Sequence, residues 1–275
     1  MAASKTPTYV LGHTESELRR LALQGQYWGE VTLEVLEKSG LTPGMRVLDI
    51  GCGAGDVSLL AANLVGSSGA VIGIDRSPEA VERASARAAS LNIDHLRFEV
   101  AEAESIDSSL NIDAIVGRFV LMYMPNPTAV LRELVTRLKP EIVAFIEMDM
   151  RVARSVPTIP HVEKAIGWVT ETFKRAGAAL DLGPQLWRIF RDAGLDEHNM
   201  VVCQKLEPAY STAGVKMLSD IVLSLLPMME RFGVVTNGEV DVETLAKDLQ
   251  NALSTNDAAL LPPCVVGAYG RIVRS

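Results

Sequence analysis

The sequence predicts an α/β protein with a doubly wound, largely parallel sheet. Three observations carry that prediction. Between residues 46 and 146, short apolar runs alternate with segments whose apolar residues recur at helical spacing, the pattern of successive βαβ units. The short runs, such as 47–50 and 142–146, are apolar along their length instead of alternating, as strands covered on both faces must be. Finally, Gly51, Gly53 and Gly55 fall within five residues, between the first apolar run and the segment that follows it.

Taken in chain order, the first helix starts at Thr14. Thr14 and Glu17 have capping-box spacing, and Leu18, Leu21, Gly25 and Trp28 follow on one face. The stretch runs to about Lys38 and stops at Gly40. Pro43-Gly44 then turns into a strand over 46–50, followed by an apolar helix over 56–65 and a strand over 70–74. Ser77-Pro78 reads as an N-cap with proline in the first helical position, opening a helix with Ala80, Val81, Ala84 and Ala88 on one face. Strands are expected over 96–100 and 113–117. Asn126-Pro127 caps the next helix, which ends before Pro140, and the fifth strand covers 142–146. Beyond Met150 helical periodicity dominates over 161–178, 184–193, 212–231 and 241–253, with strand-like runs at 200–206 and 264–273. The expected organisation is one domain over 1–275, comprising a helical cap (1–40), a ligand-binding core (41–150) and a substrate-side half (151–275).

Composition narrows the function classes. Among 275 residues, 48 % are hydrophobic and 22 % charged, so there is material for a large core and no signature of disorder. The 26 Lys+Arg and 34 Asp+Glu leave a net charge of −8, which argues against a broad phosphate-binding surface and hence a nucleic-acid partner. Cys52, Cys203 and Cys264 show neither metal-ligand nor C-x-x-C spacing and read as reduced thiols of a cytoplasmic protein. No stretch reaches the roughly 18 apolar residues of a membrane helix, and residues 1–7 do not look like a secretory signal.

The chemistry is concentrated at the glycine run. Three glycines let the chain turn sharply and let a ligand touch the backbone, and the helix that follows presents free N–H groups and a partial positive charge. Asp49 precedes the turn, and Asp75 ends the next strand 20 residues after Gly55. An acid at that strand end can accept hydrogen bonds from both ribose hydroxyls, so the pair points to a nucleoside-containing cofactor. Position 56 is Asp, not the glycine that a dinucleotide fingerprint needs there, and its charge at the helix N-terminus would repel a pyrophosphate. No P-loop motif is present.

At this point the sequence resembles the class I S-adenosylmethionine-dependent methyltransferases. The resemblance spans about residues 40–150, on Leu48-Asp49-Ile50-Gly51-Cys52-Gly53-Ala54-Gly55, Gly73-Ile74-Asp75, Ala101-Glu102-Ala103 and Asp113-Ala114-Ile115-Val116. It implies a seven-stranded Rossmann-like sheet whose last strand is antiparallel, an N-terminal helix and an inserted helical lid. S-adenosyl-L-methionine is then the implied cofactor and S-adenosyl-L-homocysteine the product. The loop of Gly51, Gly53 and Gly55, preceded by Asp49, would approach the methionine part of the cofactor, and Asp75, followed by Arg76, would hold the ribose. Glu102-Ala103 stands where the family has an adenine-contacting Asp-Ala, with a side chain one methylene longer. Arg118, in the loop after the fourth strand, is placed to pair with a carboxylate of the cofactor or of Asp49, or to form a structural ion pair. The segment Tyr9-Val10-Leu11-Gly12-His13 resembles one that closes over the cofactor, with Tyr9 near the methionine moiety and His13 near the acceptor.

Methyl transfer from a sulfonium needs in-line geometry and exclusion of water, and a general base only for a nucleophile whose proton is hard to remove. Candidate bases are His13, His161, Glu147 and Asp149, with His13 and Glu147 the expected catalytic pair. Glu147 and Asp149 alternate at the end of the fifth strand and should point the same way, to orient a substrate or to bind a metal. No metal is expected, because the acids of the family's metal-dependent branch are not seen. The helices over 160–193 and 212–253 are expected to form the lid, with Leu218, Ile221, Val222, Leu225, Leu226 and Met229 as core or pocket wall and Pro227 breaking or kinking the helix. The expected partner is a small, largely apolar metabolite, with neither nucleic acid nor membrane, acting on a monomer or homodimer. The alternatives are a protein or nucleic-acid methyltransferase, or a protein that uses the cofactor without methylating.

Overall fold

The apolar runs assemble as their alternation predicts. The structure, a computed structural model, describes residues 15–107, 109–195 and 197–272, with side chains from Gln24 onward. Tyr9 and His13 lie outside the described residues. The first half of the chain folds as α1 (Glu15–Ser39), β1 (Arg46–Ile50), α2 (Asp56–Val65), β2 (Ala70–Asp75), α3 (Pro78–Ser90), β3 (Leu96–Val100), β4 (Ala114–Arg118), α4 (Pro127–Leu138) and β5 (Ile142–Asp149). The rest forms β6 (Arg154–Val156), α5 (Pro160–Arg175), α6 (Leu182–Asp192), β7 (His198–Cys203), β8 (Glu207–Pro208), α7 (Ala213–Arg231), α8 (Leu245–Thr255), β9 (Ala259–Leu261) and β10 (Cys264–Arg271).

Seven strands form the main sheet in the order β3-β2-β1-β4-β5-β10-β7. Strands β1 to β5 are parallel, and β10 runs antiparallel between β5 and β7. The chain builds outward from β1 through β2 to β3, then returns to lay β4 on the other side of β1. That reversal separates the loops after β1 and β4 and opens a crevice at their carboxyl ends, where α/β sheets bind ligands.

Local caps set the helix starts that position this crevice. The Ser77 hydroxyl accepts the Ala80 N–H at 3.1 Å and the Asn126 side chain accepts the Ala129 N–H at 3.0 Å, each with proline in the first turn. The fifth strand runs on beyond residue 146 to Asp149, because β10 pairs with it along its whole length.

One face of the sheet buries Val47, Val71, Val116 and Ala144 against α1 and α2, and the other buries Leu48, Ile72, Ile115 and Phe145 in the larger core. Two expectations are corrected here. Residues 182–192 are not part of a lid: α6 lies flat on β5 and β10, with Phe190 edge-on to Phe145 at 6.5 Å. An apolar helix beside an uncovered sheet face buries more surface there than it would over a crevice. Of the two outcomes expected at Pro227, a break does not occur. Helix α7 continues to Arg231, with Pro227 on the exposed side while Leu225 and Met229 are buried. Helices α5, α7 and α8 pack on one another, and α7 also packs on α1. The α7 stripe is therefore core: Val222, Leu225 and Met229 are fully buried. A small sheet of order β6-β9-β8 ties this half together, with strands of two or three residues, too short to leave a periodic signal. No helix of the described residues is long and apolar enough to cross a membrane.

Candidate active site

At the end of β1 the chain turns left-handed at Gly51, where φ is +66°. A Cβ there would lie 2.4 Å from Val120 Cγ2, so it is the close approach of the loop after β4 that demands glycine. Gly53 differs: its φ is also positive, +52°, but a Cβ would meet nothing within 4 Å. Its open side faces the crevice. The loop is held from the neighbouring strand, since Cys52 N–H donates to the Ile74 carbonyl at 2.9 Å and Gly53 N–H to Asp75 Oδ2 at 3.0 Å. Asp75 Oδ1 accepts the Ser77 N–H at 2.9 Å. The half-buried Asp75 carboxylate therefore orders the loops after both β1 and β2, and each oxygen keeps a further lone pair for a ligand.

These loops surround a cavity of about 830 Å³. Of the residues singled out from the sequence, Gly51, Gly53, Asp75, Arg76, Glu102, Ala103 and Arg118 line it. The Glu102-Ala103 pair opens a single 3₁₀ turn after β3, with Glu102 exposed and Ala103 buried.

Asp49, Gly55 and Glu147 are not in the lining, which corrects their expected roles. Gly55 caps the start of α2 in a left-handed conformation, behind the turn. Asp49 lies beneath the loop, wholly buried, with Oδ2 accepting the Ser58 hydroxyl at 2.5 Å and Oδ1 without a partner. Burial raises its pKa to about 7, against the lowering effects of the Ser58 hydrogen bond and the Arg118 charge. Between the ordinary carboxylate pKa near 4 and this value the folded protein binds more protons than the unfolded chain, so this group makes stability fall as pH rises. Asp49→Asn, which keeps an acceptor for Ser58, is expected to flatten that slope between about pH 4 and 7; denaturant unfolding across this range checks it.

Glu147 cannot touch an acceptor. It has no exposed surface, and its Oε1 accepts the N–H groups of Val120 at 2.9 Å and Leu121 at 2.7 Å. Burial raises its pKa to about 8, opposed by backbone donors at Leu121, Val120 and Met122. Asp149 is turned to Arg151, whose Nε and Nη2 each donate at 2.9 Å. That hydrogen-bonded pair holds the Asp149 carboxyl below its usual range. His161 is exposed in the first turn of α5 and does not line the cavity.

Arg118 lines the cavity with a side chain only 7 % exposed. It pairs with Asp56, not with Asp49: Nη2 is 3.5 Å from Asp56 Oδ2, and Nη1 donates to Thr32 Oγ1 at 2.9 Å. Arg87 grips the other Asp56 oxygen at 2.5 Å, so one carboxylate joins α1, α2, α3 and the end of β4.

Much of the apolar wall comes from Phe119, Val120, Tyr123 and Met124, the loop after β4. Phe119 has φ +55°, an uncommon conformation for an aromatic residue, with its ring edge-on to Trp28 at 6.5 Å. No sequence motif marks these four; their signal is their position after the fourth strand, beside the glycine loop.

The cavity fits an S-adenosyl ligand on its own chemistry. The open flank of Gly53 leaves room against the backbone, the Asp75 carboxylate offers acceptors for vicinal hydroxyls, and the exposed Glu102 carboxylate can accept from an amino group. Known proteins agree with this reading. A family model described as a methyltransferase domain matches residues 41–182, just over half of the chain. A relative named 2-phytyl-1,4-naphtoquinone methyltransferase, from Synechococcus elongatus, is 40 % identical over 116 residues, or 41 % of this chain and 48 % of the relative. The chain thus spans about half the length of the curated relatives that head the comparison. Among solved structures, geranyl diphosphate C-methyltransferase from Streptomyces coelicolor superposes with a TM-score of 0.54 at 17 % identity, covering 97 % of this chain and 89 % of that one. The [4+2]-cyclase SpnF gives 0.53 at 21 % identity, covering 89 % and 82 %. At such identities these two likenesses speak for the fold alone. Together with the family match and the glycine loop, they establish that this chain belongs to the methyltransferase-domain family, with the class I S-adenosylmethionine-dependent fold.

Proposed function

We propose that the chain transfers a methyl group from S-adenosylmethionine to an oxygen, nitrogen or carbon of a small, largely apolar metabolite. The observation that carries this reading is the cavity at the reversal of strand order, with the open side of Gly53 and the carboxylate of Asp75 both facing it. When bound, the cofactor supplies a methyl group on a sulfonium, already activated for in-line displacement. The chain's share is binding, orientation and exclusion of water. Asp75 and Glu102 accept hydrogen bonds from the nucleoside, the glycine loop admits the ligand to the backbone, and Phe119, Val120, Tyr123 and Met124 shield the reacting end. Arg118 keeps α1 against the cavity through Thr32 and Asp56. His13 is the remaining proposed base of the expected pair, and Tyr9 a proposed contact to the methionine moiety.

An apolar acceptor is favoured by that wall and by the name of the naphtoquinone methyltransferase relative. A second reading, in which the ligand is held without methyl transfer, needs the same cavity and the same cofactor contacts. Analysis of the product formed from an accepted substrate separates the two. The central claim is tested by calorimetry: the purified protein should bind S-adenosylmethionine at micromolar strength, and absence of both heat and a thermal shift would overturn it.

A further inference from the structure

Glu147 is a fully buried acid whose side-chain partners lie in the loop that forms much of the cavity's apolar wall. Its Oε1 receives two successive backbone donors, Val120 and Leu121, while Oε2 is buried without a partner. Both donors lie between Phe119 and Tyr123, which face the cavity. Phe119, in its left-handed conformation, donates its own N–H to the Ile146 carbonyl at 2.8 Å, which turns the chain over the end of β5. Further on, the backbone N–H groups of Tyr123 and Met124 donate to the carbonyls of Val120 and Leu121, inside the same turn. The Ile146 carbonyl and the Glu147 side chain thus together join the first half of this turn to the end of β5, Glu147 taking the two N–H groups that follow Phe119. The Glu147 backbone is fixed in turn, because α6 crosses at Gly183, where a Cβ would lie 3.0 Å from the Glu147 carbonyl oxygen.

We infer that Glu147 is a positioning residue: its carboxyl sets the conformation of the 119–124 wall, and through that wall the affinity for the S-adenosyl ligand, without touching ligand or acceptor. The identity of the ligand rests on the function proposed above; the loop-holding role does not.

The test compares Glu147→Met, which keeps the volume and removes the acceptor, with Glu147→Gln, which keeps a neutral acceptor. Two readouts are needed, amide hydrogen exchange of the ligand-free full chain and calorimetric affinity for S-adenosylhomocysteine. In Glu147→Met, exchange at Val120 and Leu121 should quicken at least tenfold while protection in β1, β4 and β5 stays unchanged, and affinity should fall about tenfold. Glu147→Gln should restore both to within about threefold of wild type. Unchanged exchange and affinity in Glu147→Met would overturn the inference, as would exchange that rises uniformly over the sheet, or a Glu147→Gln that behaves like Glu147→Met. If Glu147→Met does not fold, the wild type decides by itself: exchange at Val120 and Leu121 within about tenfold of the β5 amides supports the role, and exchange at the rate of unprotected amides overturns it. A wild-type protein that binds no S-adenosylhomocysteine would sink the proposed function while leaving the exchange result intact.

Discussion

Replacing Asp75 with alanine is expected to weaken S-adenosylhomocysteine binding at least 100-fold. The carboxylate is proposed to accept both ribose hydroxyls, and hydrogen bonds to a charged group are worth about 1.5–3 kcal/mol each. Since about 1.4 kcal/mol corresponds to a factor of ten, two such bonds give roughly a hundredfold at the lower end and far more at the upper. The substitution also deprives the Gly53 and Ser77 N–H groups of their acceptor, which loosens the loops after β1 and β2 together. Thermal stability should therefore fall as well, so affinity is to be measured well below the unfolding transition. Asp75→Asn, which retains an acceptor, should fall between wild type and the alanine variant. Unchanged affinity in Asp75→Ala would mean that the ribose lies elsewhere.

Gly53→Asn should abolish binding with little loss of fold. A Cβ at Gly53 meets no protein atom within 4 Å, so a longer side chain projects into the cavity instead of against the protein. The φ of +52° is one that Asn tolerates better than most residues, so unfolding free energy should change by no more than about 1 kcal/mol. Calorimetry should then show at least a hundredfold weaker S-adenosylhomocysteine binding beside a near-normal thermal transition. The neighbouring Gly51 would not separate the two effects, because a side chain there strikes Val120 before it could meet a ligand. Near-wild-type binding by Gly53→Asn would show that the ligand does not run along this loop.

Much of the first half of the molecule was legible because its signals are local. Strand β1, helix α2 and strand β3 fall where the apolar runs and their flanking residues place them. The starts of α3 and α4 follow from Ser77-Pro78 and Asn126-Pro127, since a cap needs only the residues of its own first turn. The second half was less legible. Its helices announce themselves by period, but period does not say what an apolar face packs against. For that reason α6 reads like α7 in sequence, yet one covers the sheet and the other joins α1, α5 and α8.

The site divides along the same line. The sequence by itself determined a glycine turn between a strand and a helix, an acid at the next strand end, and Glu102-Ala103 after the third strand, and with them the class of ligand. These are features of the backbone path over a few residues, and the sheet topology brings them into one crevice. Only the tertiary structure decided what the other acids do. Glu147 sits in the sequence like a catalytic carboxylate, but in the fold it is covered by a turn 26 residues away. Asp56 reads as a helix-start acid and becomes the clasp for Arg118, 62 residues distant. A carboxylate is assigned to a ligand or to the protein by which donors reach it and how much water remains around it, and both depend on segments that only folding brings together.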